Sequence, residues 1–414
     1  MLVNGQYPGP TIEADWGDTI QVTVSNNLKT NGTSIHWHGI RQLGTNVMDG
    51  TNGLTECPIP PGSSKTYTFK AAAYGTSWYH SHYSAQYADG VVGGIVIHGP
   101  TTANYDVDLG FYPLTDYFRT PFFTVAAQAA HAAGPPPADN ILINGTMKTT
   151  DESSGGNYAV TTLQPGKKHL LRLANVGINN YIHVGLDGHK MTIVSADFNA
   201  VQPSTVDSVV LGVGQRYDVI IEATANGTGS FWLRVGPGDG TPTQGACDGP
   251  NANAVAGNTK AIFKYAGAAD GNPTSTPSVA LSTGCHDQPG MTPYYSRTLP
   301  GATAGEIDVS FSNLNGTVQW LVDGSAIQVD FEKPTLSYVQ DGTTPPPHYN
   351  VLNITGGATN VSSPIFKSEM HDTNVLAVRL LAHPMGCPNR RLPQRTPSPP
   401  HPSPRSRLLR RWPR

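Results

Sequence analysis

Residues 17–26 read Gly-Asp-Thr-Ile-Gln-Val-Thr-Val-Ser-Asn. Apolar and polar residues alternate through this stretch, which predicts a β-strand with Ile20, Val22 and Val24 on one face. Residues 166–175 read Gly-Lys-Lys-His-Leu-Leu-Arg-Leu-Ala-Asn, so the order of turn glycine, strand and final asparagine occurs twice. Two copies of such a unit suggest duplicated β domains.

Similar strand patterns, separated by turn residues, continue along most of the chain. They cover residues 66–70, 91–97, 168–175, 191–195, 206–213, 217–223 and 231–235, and the best helix pattern covers residues 124–133. Gly (45) and Pro (35) approach a fifth of the 414 residues, whereas charged residues make up only 13%. This composition is typical of a secreted, turn-rich β protein, and the strand spacing predicts an all-β fold of sandwiches or Greek-key barrels.

Turn-rich segments divide the chain into three folded units and a tail. We expect domains at residues 1–100, 101–270 and 279–387, the last with strand patterns at 307–311, 320–322 and 327–331. Residues 388–414 hold eight Pro and eight Arg without strand or helix periodicity, so we expect disorder there. The abrupt change in composition favours a reading-frame or splicing artefact over a basic binding arm.

Charge and hydropathy exclude some classes of partner. The formal net charge of −3 combines the Arg-rich tail with a body that holds 18 basic and 29 acidic residues, a balance of −11 that disfavours nucleic-acid partners. No apolar run is long enough to span a membrane, and no signal peptide is visible at the start. Six Asn-x-Ser/Thr sequons suggest a glycoprotein, at Asn31, Asn144, Asn226, Asn315, Asn353 and Asn360.

Two histidine pairs carry the strongest chemical signal. Residues 36–38 read His-Trp-His, and residues 80–82 read His-Ser-His. On a β-strand, residues two apart point to the same face and lie about 6.5–7 Å apart. Four imidazoles on two strands can converge on a metal, and such an all-nitrogen set suits copper, zinc, iron or nickel rather than magnesium or calcium. A purely structural role for each pair is the alternative.

Longer motifs surround these pairs. They include Asn-Gly-Gln-Tyr-Pro-Gly-Pro-Thr-Ile at 4–12, Asn-Gly-Thr-Ser-Ile-His-Trp-His-Gly at 31–39 and Tyr-Gly-Thr-Ser-Trp-Tyr-His-Ser-His-Tyr-Ser-Ala-Gln-Tyr at 74–87, with further segments at 17–19, 53–60, 140–145, 205–208, 214–219 and 320–334. Over about residues 1–340 the sequence resembles fungal laccases of the ascomycete type. The resemblance implies tandem cupredoxin-like Greek-key β-sandwich domains, the third incomplete, and a copper-dependent multicopper oxidase.

The resemblance also implies a chemistry and a set of ligands. In such oxidases, a type 1 copper takes single electrons from phenols and passes them to a trinuclear copper cluster, which reduces O2 to water. By motif position, His36 is the type 2 copper ligand, and His38, His80 and His82 ligate the type 3 pair. These are four of eight imidazoles that the family draws from two domains, for four copper ions per monomer in all.

Two acidic residues have roles implied by the same resemblance. Asp49 corresponds to a carboxylate near the type 2 copper that orients solvent and helps to deliver protons, although Asp49-Gly50 is also a good turn pair. Asp197 corresponds to an acid in the phenol pocket that accepts the phenolic proton. The alternative is that Asp197 is an ordinary loop residue.

The sequence departs from the family near its end. The family carries His-Pro-x-His-Leu-His-Gly and a motif centred on His-Cys-His, whereas residues 382–389 read Ala-His-Pro-Met-Gly-Cys-Pro-Asn. His383 would then be a type 1 ligand, but Cys387 lacks flanking histidines, and a blue-copper site needs a Cys thiolate with two His. We therefore expect this polypeptide, which looks shortened at both ends, not to oxidise phenols by itself.

The four cysteines raise two further expectations. Cys57 resembles a family cysteine whose partner lies near the C-terminus, and the loss of that partner predicts an unpaired Cys57. Cys247 and Cys285 lie in Gly/Pro-rich segments, where they either pair as a loop staple or stay as free thiols.

The resemblance implies an extracellular, disulfide-containing monomer that acts on small phenols, such as those of lignin, and on O2. No nucleic-acid or membrane partner is expected. Three alternatives stay open from the residues: a non-catalytic copper-binding cupredoxin protein, a His-ligated zinc hydrolase, and an oxidase of ascorbate or metal ions.

Overall fold

The computed structural model is built mainly from β-strands, which confirms the all-β expectation. It describes residues 1–132, 136–149, 155–237, 258–277, 281, 287–296, 305–326, 329–346 and 359–362. The Arg-rich tail, Cys247, Cys285, His383 and Cys387 lie outside these residues. No helix within the described ranges has the length and apolarity that a membrane crossing requires.

The first β-sandwich packs a four-stranded sheet against a two-stranded one. Its strands are β1 (Gly9–Asp15), β2 (Thr19–Ser25), β3 (His36–Trp37), β4 (Ser64–Lys70), β5 (Gly75–His80) and β6 (Val92–His98). The larger sheet has the order β1-β6-β5-β3, and β2 pairs with β4. Ile20, Val22 and Val24 of β2 pack in one core with Trp37 and Tyr79 of the larger sheet, as the alternation in β2 predicts.

The second β-sandwich packs a six-stranded sheet against a five-stranded one. Its elements are β7 (Val107–Tyr117), α1 (Phe122–Ala129), β8 (Asn140–Ile143), β9 (Val160–Leu163), β10 (Lys168–Asn175), β11 (Ile182–Leu186), β12 (Met191–Ala196), β13 (Asn199–Val206), β14 (Ser208–Leu211), β15 (Arg216–Glu222), β16 (Ser230–Pro237) and β17 (Lys260–Tyr265). The sheet orders are β13-β12-β15-β10-β7-β8 and β14-β11-β16-β17-β9. Leu171 and Val219 from the first sheet meet Val184 and Leu233 from the second in a fully buried core.

A third region contains β18 (Gly305–Leu314), β19 (Thr317–Val322), α2 (Thr335–Gln340) and β20 (Thr359–Ser362), with the sheet order β19-β18-β20. The strand predicted at 327–331 is wrong for its described part, because residues 329–331 are not in a strand. This segment packs on the first sandwich instead: Phe331 stacks near Tyr83 at 5.4 Å, and the N–H groups of Thr335 and Leu336 donate to the carbonyls of Gly53 and Leu54.

Two other sequence predictions need new boundaries. The strand predicted at 206–213 is two strands, since β13 ends at Val206 in the six-stranded sheet and β14 begins at Ser208 in the five-stranded sheet. The chain therefore crosses between the sheets at Asp207, which an alternation pattern alone does not reveal. The helix predicted at 124–133 is observed as α1, which begins at Phe122, directly after Pro121, and ends at Ala129.

Cys57 is disulfide-bonded, so the expectation that it is unpaired is wrong. Its partner lies outside the described residues. The Cys57 Sγ atom lies 4.0 Å from the carbonyl oxygen of Glu332, because the segment at 329–336 crosses the turn at Gly53. The crossing places Glu332, which is distant in sequence, beside Cys57. The expectation of an unpaired Cys57 considered only the family's C-terminal cysteine and did not include this contact.

The repeated asparagine has a clear structural role in the first sandwich. Asn26 follows β2 and is buried. Its side-chain Nδ2 donates to the carbonyl oxygens of Asn31 (2.9 Å) and Ile59 (2.8 Å), and its Oδ1 accepts from the N–H of Leu28 (2.9 Å). The side chain thus ties the end of β2 to two later segments.

Asn175 makes the same set of bonds after β10. Its Nδ2 donates to the carbonyl oxygens of Asn180 (2.9 Å) and Leu211 (3.0 Å), and its Oδ1 accepts from the N–H of Gly177 (3.0 Å). The first acceptor lies five residues ahead and the donor two residues ahead in both copies. The internal repeat is therefore a repeat of structure, as the duplicated sequence pattern suggests.

The two sandwiches share an apolar interface. Trp78 of β5 and Val92 of β6 pack against Ala174 and Val176 of the second sandwich, with Phe111 at the edge. Strand β5 is buried along its whole length because one face lines the first core and the other face meets the second sandwich.

A buried polar network crosses the same interface. The Thr76 hydroxyl of β5 donates to the carboxylate of Asp218, which also faces Arg172 at 3.4 Å. Arg172 in turn binds Asp108 with its Nε and Nη2 atoms at 2.7–3.0 Å. Burial raises the pKa of Asp218, while Arg172 works in the opposite direction. A buried carboxylate with such partners fixes how the sandwiches dock.

We expect Asn26→Ala and Asn175→Ala each to destabilise the protein by about 2–3 kcal/mol, because each leaves three backbone polar groups without their partner. Asn27→Ala is the matched control, since Asn27 is adjacent but exposed, and its effect should stay within about 0.5 kcal/mol. Urea unfolding followed by circular dichroism measures the difference. Equal stability of the Asn175→Ala and Asn27→Ala variants would contradict the role given to the repeated asparagine.

Candidate metal centre

Strand pairing brings the two histidine pairs together. In the antiparallel pair of β3 and β5, His36 is the register partner of His80, and Trp37 is the partner of Tyr79. Side chains alternate across a strand, so Trp37 and Tyr79 enter the first core and the histidines point to the opposite face. His38 extends this arrangement, because its N–H donates to a carbonyl of β5 at 3.0 Å.

The four imidazoles form one cluster. The His36 ring centroid lies 5.9 Å from that of His38, 5.3 Å from His80 and 5.6 Å from His82, and the His80 centroid lies 5.6 Å from His38 and 5.9 Å from His82. One ligand nitrogen from each of His36, His38 and His80 lies within 4.8 Å of the other two. The structure therefore brings all four sequence-predicted ligands to one place.

Backbone carbonyls orient two of the rings. The Nδ1 atom of His36 lies 2.9 Å from the carbonyl oxygen of Asp49, and the Nδ1 atom of His80 lies 3.0 Å from that of Ser81. A carbonyl oxygen only accepts, so Nδ1 carries the hydrogen and Nε2 of each neutral ring keeps its lone pair. This is the arrangement in which a histidine ligates a metal through Nε2.

His38 is held differently, at the second sandwich. A Cβ atom added to Gly214 would lie 3.0 Å from His38 Cε1 and 3.1 Å from His38 Nε2. The Cε1–Nε2 edge of the ring therefore packs against Gly214, whereas the Nδ1 atom does not contact this glycine. The Ser77 hydroxyl donates to the carbonyl oxygen of His38 and holds its backbone to β5.

Aromatic rings enclose the cluster. The Trp78 indole stacks on His80 at 4.2 Å and on His38 at 4.8 Å. Tyr87 lies 5.3 Å from the His80 ring and 6.2 Å from Trp78. These rings keep water from one side of the imidazoles and limit the orientations that His38 and His80 can adopt.

Burial keeps three of the imidazoles neutral. It lowers the pKa of His38 to about 2, with Arg216 and the other histidines adding to the effect. It lowers the pKa of His80 to about 3, with His36 as the next cause, and it also lowers the pKa of His82. A neutral imidazole is the form that binds metal.

Asp49 lies beside His36. Its Oδ1 atom is 3.5 Å from His36 Nδ1, and its Oδ2 accepts from the Thr51 hydroxyl at 2.7 Å. Burial opposes a charge on either group, but their hydrogen bond and attraction lower the pKa of Asp49 and raise that of His36. The sequence-predicted acid is thus next to the ring that the resemblance assigns to type 2 copper, at the end of a short 3-10 turn.

Asp197 lies outside the imidazole cluster. Its Oδ1 accepts from the backbone N–H of Arg216 at 2.8 Å and faces the Arg216 guanidinium at 2.8 Å. Asp197 has a left-handed backbone (φ 47°), as does Phe198 (φ 66°), and the guanidinium lies over the Phe198 ring at 5.2 Å. Asp197 thus contacts Arg216, which lies beside His38, and its role in a phenol pocket stays a prediction.

Sequence reasoning gave no role to two residues that shape the centre, Gly214 and Arg216, and it indicated for Trp78 only that an aromatic beside the histidines favours a packed site. Residues 214–219 form part of a quoted motif, and an arginine two residues before an aspartate at the start of a strand that continues Val-Ile-Ile is a signal for buried charges. The stacking of Trp78 had a weaker signal, its position two residues before His80 on one strand face.

The donor set fits copper. It consists of four imidazoles, of which His80 is buried, His36 and His38 are half-buried and His82 is exposed. Two of them present a free Nε2, and three have a lowered pKa. Asp49 contacts the set through His36 Nδ1 rather than as a fifth donor. Imidazole-only sets suit copper, with zinc, iron and nickel as the other metals of that chemistry.

Comparisons with known proteins distinguish among these metals. Two family models, both described as multicopper oxidase, match residues 1–102 and 110–268. Laccase-3 of Botryotinia fuckeliana is 46% identical over 363 residues, which cover 85% of this chain and 77% of the relative. Laccase-2 of Podospora anserina is 46% identical over 365 residues, which cover 86% of this chain and 56% of the relative. The His-ligated zinc hydrolase is therefore not supported.

Solved structures agree with the sequence matches. The laccase from Botrytis aclada has a TM-score of 0.80 at 38% identity, over 87% of this chain and 67% of that one. Fet3p, described as a multicopper oxidase that functions in iron import, has a TM-score of 0.70 at 26% identity, over 81% of this chain and 62% of that one. With its stacked sandwiches, its cluster of four histidines and these similarities, the chain belongs to the multicopper oxidase family and is similar to fungal laccases, so that copper is its cofactor.

Proposed function

We propose that this protein is a laccase-like multicopper oxidase, a class of enzyme that oxidises phenols or diphenols by one electron at a time and reduces O2 to water with four electrons, and that the 414 residues supply part of its copper site. One observation carries the proposal, the cluster of His36, His38, His80 and His82, in which His36 and His80 each have their ring centroid 5.3–5.9 Å from those of the other three. Identity of about 46% to named laccases supports the substrate class.

We assign His36 to the type 2 copper and His38, His80 and His82 to the type 3 pair. His36 differs from the other three in its surroundings, which supports a separate role. Its pKa is raised by Asp49 against the effect of burial, whereas burial lowers the pKa of the other three. It alone among the four binds the backbone and side chain of Asp49.

Copper bound by these rings supplies the one-electron redox chemistry of the reaction. The protein residues hold and move protons beside it. Asp49 keeps part of its carboxylate accessible (23% exposed) and accepts a hydrogen bond from Thr51, so the charged carboxylate can relay a proton from solvent to the side of His36. Trp78 and Tyr87 exclude water from the opposite side of the rings.

The 414 residues provide one half of the ligands that the trinuclear cluster of the family uses. They contain no further His-x-His pair, and residues 386–389 read Gly-Cys-Pro-Asn where the family has His-Leu-His-Gly. The chain spans 77% of the first relative but only 56% of the second. We therefore expect the 414-residue polypeptide by itself to hold copper without phenol turnover.

We also propose that the protein is a secreted, glycosylated monomer. Four of its six sequon asparagines lie among residues with a described side chain, and all four are exposed: Asn31, Asn144, Asn226 and Asn315. Exposed sequons in turns are accessible to glycosylation, which occurs along the secretory route. Small phenols and O2 are its proposed partners.

Copper binding can be tested apart from catalysis. We expect His80→Gln to lower the copper bound per chain, because the variant removes the most buried imidazole of the four. His98→Gln is the matched control, since His98 is exposed and pairs with Glu13 away from the cluster. Elemental analysis after loading and dialysis measures the difference. Equal copper content in both variants would contradict the assignment of this site.

Turnover is tested with oxygen consumption in the presence of hydroquinone and copper. We expect no turnover by the 414-residue polypeptide and no intense blue absorption from a Cys-ligated copper, because the two C-terminal ligand motifs are absent from its sequence. Clear oxygen consumption or a blue colour would show that the expectation of a half-site is wrong. A purified laccase with all four motifs is the positive control.

A further inference from the structure

Equivalent turns in the two sandwiches have different surroundings. The first turn consists of residues 62–64, and the second consists of residues 214–216. Gly62 N–H donates to Asn26 O at 2.8 Å, and Gly214 N–H donates to Asn175 O at 2.9 Å. Both glycines have a left-handed backbone, with φ of +72° and +84°. Because Asn26 and Asn175 are the repeated asparagines, the two turns occupy the same place in the repeat.

The first of these turns faces solvent, while the second meets a histidine. A Cβ atom at Gly62 would have no neighbour within 4 Å, and Ser64 is exposed. A Cβ atom at Gly214 would lie 3.0 Å from His38 Cε1 and 3.1 Å from Nε2. Glycine is favoured in the second turn both by the left-handed backbone and by the close approach of the His38 imidazole. In the first turn, only the left-handed backbone favours it.

Arg216 corresponds to Ser64 of the first copy, because each residue begins the strand that follows its turn, β15 or β4. Its guanidinium is buried and bonds in several directions: Nε donates to Thr76 O at 3.0 Å, and Nη1 donates to Gly214 O at 3.0 Å. Nη2 would lie 2.7 Å from a Cβ atom at Gly39, the residue after His38.

The arginine therefore connects three elements that surround His38. It holds β5 through Thr76, it holds the 214–216 turn through Gly214, and it packs against the residue that follows His38. Asp197 balances the charge of the guanidinium at 2.8 Å. A planar guanidinium suits such a site because its donors point in fixed directions.

We propose that the 214–216 turn of the second sandwich positions the His38 imidazole for copper, with Arg216 as a positioning residue and Gly214 as the contact surface. This proposal rests on the copper site proposed above. The orientation of a ligand ring is set by the groups packed around it, and loss of such support typically weakens metal binding by about 10-fold to 100-fold.

The duplication supplies a matched pair of variants. Gly214→Ala and Gly62→Ala place a Cβ in the same left-handed turn, so both carry the same kind of backbone strain. Only Gly214→Ala brings that Cβ against His38. Differences between the two variants therefore report the contact with the imidazole rather than the conformation of the turn.

The experiment titrates the full 414-residue chain and its variants with Cu(II) alone and follows binding by electron paramagnetic resonance. We expect Gly214→Ala to bind copper at least about tenfold more weakly than the unaltered chain and to change the hyperfine pattern, while Gly62→Ala keeps both. Equal affinities and spectra for the two variants would overturn the proposal.

A second measurement needs no copper. Nitrogen-15 spectra of the metal-free histidines should show shifted His38 ring signals in Gly214→Ala and in Arg216→Lys, and unshifted signals in Gly62→Ala. Arg216→Lys keeps the charge but loses the fixed donor geometry of the guanidinium. This variant replaces Gly214→Ala in the test if Gly214→Ala does not fold. Unshifted His38 signals in both altered chains would overturn the proposal. If the unaltered chain binds no Cu(II), the copper site fails, and these spectra still decide whether the turn positions the ring.

Discussion

The docking of the second sandwich onto β5 is the constraint on which the metal centre depends. Strand β5 has no solvent-facing side: Tyr79 enters the first core, and Trp78 packs against the second sandwich. Asp218 is fully buried at this contact and needs both the Thr76 hydroxyl and Arg172 to offset the loss of its hydration. A different docking angle would leave this carboxylate without partners, so one arrangement of the histidine-bearing strand is selected.

Part of this arrangement could be predicted from the sequence. The alternation at 19–25 identifies β2 because one face of that strand is exposed, and the repeated pattern identifies β10. Strand β5 is buried on both faces, so its sequence Gly-Thr-Ser-Trp-Tyr-His shows no alternation, and only the spacing of His80 and His82 suggested a strand there. The histidine pairs revealed the site, although only the first residue of each pair lies in a strand, and His38 and His82 follow the ends of β3 and β5.

Other features could not be predicted because they depend on residues that are distant in sequence. The contact of Gly214 with His38 joins two sandwiches, and the bonds of Arg216 to Thr76 cross the same boundary. The segment at 329–331 follows the surface of the first sandwich rather than a sheet. The contact of Cys57 with Glu332 likewise joins residues 275 positions apart.

The full burial of β5 has a consequence for biosynthesis. Until β10 and β15 have been made, the first sandwich exposes Trp78, Val92 and the edge of His38 that contacts Gly214. About 120 residues separate the end of β6 from Arg216, and a ribosome that adds about 5–20 residues per second needs roughly 6–24 s to make them. During that interval, the nascent chain carries an uncovered apolar face at Trp78 and Val92, which is a surface prone to non-specific association until the second sandwich covers it.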